Sequence, residues 1–399
     1  MRTNRVVIVL GTRPEAIKLA PVIRALRRRG EVETIVVSTG QHRQMLDQVL
    51  ARFELVPDRD LDLMQPNQSL PDLTSRALAA MSGVLGELSP GLLMVQGDTT
   101  TAFVAALAAF YRKIPVAHVE AGLRSRDTRN PFPEEINRRL ASVLTDIHFA
   151  PTSLSRRNLL GEGVGSDAIA VTGNTVVDAL HTLLEAPFSF EATPLAEIPL
   201  EGHRVILVTS HRRESWGSDL ENICLALRDL VETHPDVRVV YPVHMNPNVR
   251  TTVHSLLDGV DRIHLTEPLD YLTFINLLRR SYLILTDSGG VQEEAPTLRK
   301  PLLLLRMVTE RPEAFELGMA KVVGTGHDDI FFEASRLLSD ASAYREMTGD
   351  RNPYGDGRAG ERIAAAIGRW MRDERPLLSP EEELDVVAVT APAFRGAVS

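Results

Sequence analysis

What most constrains this chain is a rhythm. Short runs of β-branched and apolar residues alternate with longer stretches in which apolar residues return at helical spacing, and the pattern stops and restarts once. That is the signature of repeated βαβ units. Val6–Leu10 precedes a helical pattern over Glu15–Arg29, Thr34–Ser38 precedes Gln41–Arg52, and Leu92–Gln96 precedes Thr99–Tyr111; Val116–Glu120 and Ile147–Ala150 follow. The apolar runs are nearly continuous, as a parallel sheet covered on both faces requires. After Asn174 a helical pattern to about Leu184 gives way to residues 186–200, where Pro187, Pro194 and Pro199 punctuate a stretch without periodicity. The rhythm resumes with Val205–Thr209, Val237–Val243, Ile263–Leu265, Tyr282–Thr286, Leu302–Leu305 and Val322–Val323. The expectation is an α/β protein of two doubly wound domains, 1–185 and 201–357, joined by a linker at 186–200. A last helical pattern at about 358–373 is assigned to pack back on the first domain. Residues 376–399, which begin at Pro376 and carry Glu381-Glu382-Glu383, read as a partly ordered tail.

Composition narrows the partners. The 399 residues give room for two to three domains, and a net charge of −9 supplies no global field for nucleic acid or an anionic membrane. Any phosphate must be held locally. The single cysteine, Cys224, can form neither an intramolecular disulfide nor a multi-thiolate zinc site. The apolar core near the N-terminus is about five residues long, too short for a signal peptide or a membrane span. A cytoplasmic, soluble protein is expected.

In open α/β sheets ligands bind beyond the carboxyl ends of the strands. The residues there are unusually polar: Gly11-Thr12-Arg13, Gly97-Asp98-Thr99-Thr100-Thr101, Glu120 to Arg124, Thr209 to Glu214, and Asp287-Ser288-Gly289-Gly290. Both halves contribute, which points to one ligand in a central cleft. Ser288, Gly289 and Gly290 read either as a phosphate cradle at a helix start or as a tight turn with Ser288 as N-cap. Glu293 and Glu294 follow in the first helical turn. Asp98 reads either as the N-cap of the next helix or as a catalytic acid. Glu120 ends an apolar strand, so it must be hydrogen-bonded, ion-paired or of raised pKa. Glu134 and Arg138 have the spacing of a surface ion pair on a helix that starts after Pro131-Phe132-Pro133. His211-Arg212-Arg213 could meet a diphosphate or form a solvated basic turn. No Gly-x-Gly-x-x-Gly follows the first strand, so the dinucleotide fingerprint is absent.

Taken together, nine motifs resemble the bacterial non-hydrolysing UDP-N-acetylglucosamine 2-epimerases. They are Gly11 to Lys18, Gln41 to Gln48, Gly97 to Thr101, His118 to Arg124, Pro131 to Glu135, His211 to Glu214, Asp287 to Glu294, Thr309 to Glu313 and Asn352 to Gly357. The resemblance covers about residues 6–370. It implies two Rossmann-like domains in a glycosyltransferase-B-like pair, a homodimer, and interconversion of UDP-GlcNAc and UDP-ManNAc without metal or other cofactor. It further implies that Asp98, Glu120 and Glu134 do acid–base work, with Lys18 and His211 also required. Arg13, His211, Ser288, Gly289 and Gly290 would hold the diphosphate, Glu294 the ribose and Phe274 the uracil, while Arg138 and Arg311 line the sugar end. An activating second UDP-GlcNAc would bind through Gln41, Gln44, Arg212 and His244, although Asn67 stands where some members have an arginine. Met307-Val308 replaces the usual Asp-Thr. Alternatives on the same fold are a hydrolysing epimerase, a glycosyltransferase and a UDP-sugar-binding regulator.

Overall fold

The structure is a computed structural model in which residues 3–40, 43–63, 65, 68–212 and 215–384 are described. The chain divides into two compact units. One comprises the residues up to His181 together with the segment from Tyr354; the other is Thr182–Pro353.

The first unit is built on a seven-stranded sheet. Its strands are β1 (Arg5–Leu10), β2 (Glu33–Ser38), β3 (Arg59–Asp60), β4 (Leu92–Gln96), β5 (Val116–Val119), β6 (Ile147–Ala150) and β7 (Ile169–Val171), in the order β3-β2-β1-β4-β5-β6-β7. All the pairs are parallel. The winding reverses between β1 and β4, which run side by side with Val6 opposite Leu92. The second unit repeats the plan with β8 (Arg204–Thr209), β9 (Val237–Pro242), β10 (Ile263–Thr266), β11 (Leu283–Thr286), β12 (Leu302–Leu304) and β13 (Ala320–Val322), ordered β10-β9-β8-β11-β12-β13. Here the reversal lies between β8 and β11. Each order is that of a doubly wound Rossmann-like sheet, whose ligands sit at the switch point.

The apolar runs form these strands because both sheet faces are covered. Val6, Val7, Ile8 and Leu10 are fully buried in the first unit, as are Val205, Ile206, Leu207 and Val208 in the second. The helix Arg13–Arg29 starts where β1 ends. Its Glu15 carboxylate receives the N–H groups of Gly11 (2.8 Å) and Thr12 (2.7 Å), and Gly30 ends it in a left-handed conformation. Gly11 has no room for a side chain, since a Cβ there would meet Thr39 Oγ1 at 2.1 Å.

The returning helix Ala359–Met371 packs on Arg13–Arg29, where a Cβ at Gly360 would lie 2.9 Å from the Pro21 carbonyl. Its N-terminus is held by Asp178, which accepts the N–H groups of Ala359 (3.1 Å) and Gly360 (2.8 Å). Residues 376–384 are seated on the first unit: Leu377, Leu378 and Leu384 are buried, and Glu382 makes a two-pronged pair with Arg369. Residues 385–399 of the expected tail lie outside the described residues. Among the described residues no helix is long and apolar enough to cross a membrane.

Candidate active site

At the carboxyl end of the first sheet, Glu120 follows β5 with φ of 66°. A non-glycine residue in that region is uncommon and must be held there by its surroundings. Three elements supply the hold. Lys18, from the helix after β1, forms a buried ion pair with Glu120; Gln96, at the end of β4, donates to its Oε2; and Asn174 donates to Oε1 at 3.1 Å. The carboxylate at the strand end is thus both ion-paired and hydrogen-bonded.

Asp98 does not cap the helix that follows it. That helix, Thr100–Tyr111, is capped by Thr99, whose Oγ1 accepts the Ala102 N–H at 3.0 Å. The Asp98 side chain pairs instead with Arg138, whose Nε donates at 3.1 Å, and Asn137 Nδ2 donates to the Asp98 carbonyl at 3.0 Å. Arg138 also donates to the buried Glu135 at 3.1 Å, and Glu135 accepts the Ser125 N–H at 3.0 Å. The helix Glu134–Val143 therefore anchors the Asp98 loop through its first two turns, and Glu134, half-buried, opens that helix. Arg13 is half-buried at the switch point between β1 and β4.

Behind this loop lie two imidazoles in register on adjacent strands, His118 on β5 and His148 on β6. His118 Nε2 meets the Gly97 carbonyl at 2.7 Å, which fixes the turn carrying Asp98. Burial pushes His118 down to about 4; burial, with the nearby His118 and Arg124, pushes His148 down to about 3. An unfolded imidazole takes up its proton near 6.5, so between about 6.5 and 4 the unfolded chain binds more protons, and stability falls as pH falls. Asp178 acts in the opposite sense: burial raises it to about 7, so its contribution is lost as pH rises from its ordinary range towards 7. Thermal melts should therefore show His148→Phe losing less stability than wild type between pH 6.5 and 4.5. An unchanged slope would mean that His148 titrates normally.

In the second unit the switch point is bridged by the Thr209 and Thr286 hydroxyls, 2.6 Å apart. Asp287, fully buried after β11, accepts the N–H groups of His211 (2.8 Å) and Arg212 (2.9 Å) and lies 3.1 Å from His211 Nδ1. Burial alone would raise Asp287, but these bonds from His211 and Arg212 hold it below the usual aspartate value. Such a carboxylate orients the imidazole and fixes its tautomer. The His211 ring stacks on His244, with centroids 5.4 Å apart. Arg212 Nε is committed to the Asp287 carbonyl at 3.0 Å.

Ser288 is not an N-cap: its N–H donates to Thr286 Oγ1 at 3.0 Å, and the short helix Val291–Thr297 is preceded by Gly290 without a side-chain cap. Glu294 accepts from Tyr271 Oη at 2.8 Å on the helix Tyr271–Arg280, which also carries the half-buried Phe274. Arg311 pairs with Glu293 at 2.6 Å and with Glu310, and a Cβ at Gly289 would lie 3.1 Å from Arg311 Nη1. The loop from Ser288 to Gly290 and Arg311 are therefore immediate neighbours. Met307, in the Met307-Val308 pair, is exposed.

Gln41 and Asn67 lie outside the described residues, and of Gln44 only the backbone, in the helix Arg43–Arg52, is described. Among the described residues no cluster of His, Cys, Asp or Glu is arranged to hold a metal ion. Gln96, Asn174 and Tyr271, which hold Glu120 and Glu294, belong to no motif that singles them out in the sequence. Their only signal was position, at a strand end, before a helix and one turn ahead of Phe274.

Known proteins resemble this chain along most of its length. The family model described as UDP-N-acetylglucosamine 2-epimerase matches residues 24–368. A Thermotoga maritima protein is 53% identical over 363 residues, 91% of this chain and 96% of its own, and an Escherichia coli K12 protein described as UDP-N-acetylglucosamine 2-epimerase is 49% identical over 368 residues, 91% of this chain and 98% of its own. A Listeria monocytogenes structure aligns with TM-score 0.89 and 46% identity, covering 94% of this chain and 98% of that one. The Neisseria meningitidis UDP-GlcNAc 2-epimerase bound to UDP-GlcNAc aligns with TM-score 0.85 and 47% identity, over 90% of this chain and 98% of that one. With the family model spanning most of the sequence, the chain belongs to the UDP-N-acetylglucosamine 2-epimerase family.

Proposed function

We propose that the protein reversibly epimerises UDP-GlcNAc at C2 to UDP-ManNAc, without net hydrolysis, by eliminating UDP to 2-acetamidoglucal and adding it back. The observation that carries this reading is the pairing of two site types: held carboxylates at the carboxyl end of the first sheet, and a His211–Asp287 pair beside a glycine loop and Arg311 at the switch point of the second.

The chemistry needs both. The C2 proton lies beside an acetamido nitrogen rather than a carbonyl, so direct deprotonation is unfavourable. If the C1–O bond breaks first, the electron pair leaves with UDP and an oxocarbenium-like centre forms, which acidifies C2–H. A carboxylate then takes that proton, and carboxylates also stabilise the cation. Asp98, Glu120 and Glu134 are assigned to this work, with Lys18 and Arg138 setting the charge and aim of Glu120 and Asp98. His211, Arg13 and the loop from Ser288 to Gly290 are assigned to the departing diphosphate, with Glu294 at the ribose and Phe274 at the base. Addition of UDP, with protonation on the opposite face, completes inversion. In D₂O, proton NMR of the sugar should show deuterium at C2 in product and in recovered substrate. Retention of the C2 proton would reject elimination, and accumulation of free UDP in step with turnover would reveal hydrolysis.

We also propose a homodimer through the first unit. The helices Thr100–Tyr111 and Glu134–Val143 pack together, and each presents an apolar stripe at helical spacing: Phe103, Leu107 and Phe110 on one, Ile136, Leu140 and Val143 on the other. Phe110, Tyr111 and Val143 are 59%, 64% and 83% exposed in the single chain, an apolar surface of the kind that a second copy would cover. Val143→Glu should halve the mass measured by light scattering at micromolar concentration. A wild-type monomer under those conditions would reject the dimer.

A further inference from the structure

Asn174 sits at the start of the helix Thr175–Leu184 and is 2% exposed. Its Nδ2 donates to Glu120 Oε1 at 3.1 Å, and its Oδ1 accepts the Val176 N–H at 3.0 Å. Its backbone N–H donates to the Tyr354 carbonyl at 2.7 Å. Tyr354 is the first residue after the chain returns from the second unit, whose last residue before it is Pro353. One residue thus touches both the Glu120 carboxylate and the return segment.

That segment touches Asn174 through a residue whose backbone suits glycine. Gly355 has φ of 143°, a conformation that L side chains rarely adopt, and a Cβ there would lie 3.5 Å from both Asn174 N and Gly173 Cα. Asp356 binds Arg362 through both oxygens at 2.7 Å, and Arg362 reaches back to the Thr172 carbonyl at 3.2 Å. The stretch Thr172–Asn174 is therefore braced against residues 354–362 on two sides.

We propose that Asn174 is a positioning residue that ties the Glu120 carboxylate to the return segment, so that the placement of Glu120 depends on the conformation at Tyr354–Gly355. What Glu120 does rests on the epimerase reading; what holds it rests on the geometry.

Asn174→Asp is the informative variant. It keeps an acceptor for the Val176 N–H, and aspartate is a good N-cap, but it removes the donor and sets a second carboxyl group against Glu120. The expected result is a kcat lower by roughly 10²-fold, with KM and the Kd for UDP within several-fold of wild type. The acidic limb of the kcat profile should move to higher pH, by about one unit or more. Gly355→Ala should give a smaller loss of kcat, about tenfold, with UDP binding again retained. A substrate-free readout stands beside these: Asn174→Asp should lower Tm, and adding Glu120→Gln should recover much of the loss, because the new amide can donate to the new carboxylate. Wild-type kcat and pH profile in Asn174→Asp, or additive Tm changes in the double variant, would overturn the proposal. A wild-type protein inactive on UDP-GlcNAc would instead overturn the epimerase reading, and the melting cycle would still decide the link between Asn174 and Glu120.

Discussion

Asp98→Asn, Glu120→Gln and Glu134→Gln are each expected to lower kcat by roughly 10²-fold or more while leaving UDP affinity within several-fold of wild type. The reason is that the acids and, Arg13 apart, the groups assigned to the diphosphate lie in different units. The carboxylates belong to the first unit, whereas His211, Asp287 and the loop from Ser288 to Gly290 belong to the second. A sugar-directed acid can be removed without touching a group assigned to the diphosphate. The three variants should nonetheless differ in stability. Asp98 and Glu134 are half-buried, so their neutral replacements should fold nearly as well as wild type. Glu120→Gln takes the carboxylate out of the buried ion pair with Lys18, and breaking a buried pair by neutralising one partner is costly. Its Tm should fall the most of the three, and adding Lys18→Met should recover part of that loss without restoring kcat. Steady-state kinetics with UDP titrations check the first claim, and melts check the second. A collapse of UDP affinity along with the rate in all three would reduce these acids to structural roles.

The strands were the most legible part of the sequence, because sheets covered on both faces demand unbroken apolar runs, as in Val205–Thr209. β3 and β7 were not legible. β3 is a two-residue, exposed strand, Arg59–Asp60, and β7 is only Ile169–Val171, too short for a run to stand out. Asp98, Glu120 and His211 were legible as candidates because each is polar where an apolar strand ends. Their partners were not. Gln96, Lys18 and Asn174 meet at Glu120 from three elements far apart in the chain, and no local spacing encodes that meeting. Arg138 shows the same limit: helical spacing offered Glu134, but the fold also brings Asp98 within reach from another loop. Local rules see only the helix.

Arg311→Met is expected to destabilise the second unit by about 3–5 kcal/mol and to weaken UDP binding as well. Arg311 is 6% exposed between two acids that are themselves buried, Glu293 at 0% and Glu310 at 4%. Glu310 has a further partner in Arg306 at 2.6 Å, so it keeps one cation when Arg311 is removed. Breaking the buried pair dominates the cost, because it leaves Glu293 charged in the interior with one cation fewer. Neutralising it should recover much of the stability, so the Arg311→Met, Glu293→Gln double variant should be more stable than Arg311→Met alone. Binding should not recover with it, because the guanidinium packs beside Gly289 in the loop assigned to the diphosphate. The chain's two tryptophans make the measurement specific: Trp216 packs against the core of the second unit and Trp370 lies in the first. Denaturant unfolding followed by Trp216 fluorescence in a Trp370→Phe background reads the second unit, and an unchanged slope with a lower midpoint identifies a loss of stability. If the double variant is no more stable than Arg311→Met, the cost lies in lost packing of the arginine rather than in the charge of Glu293.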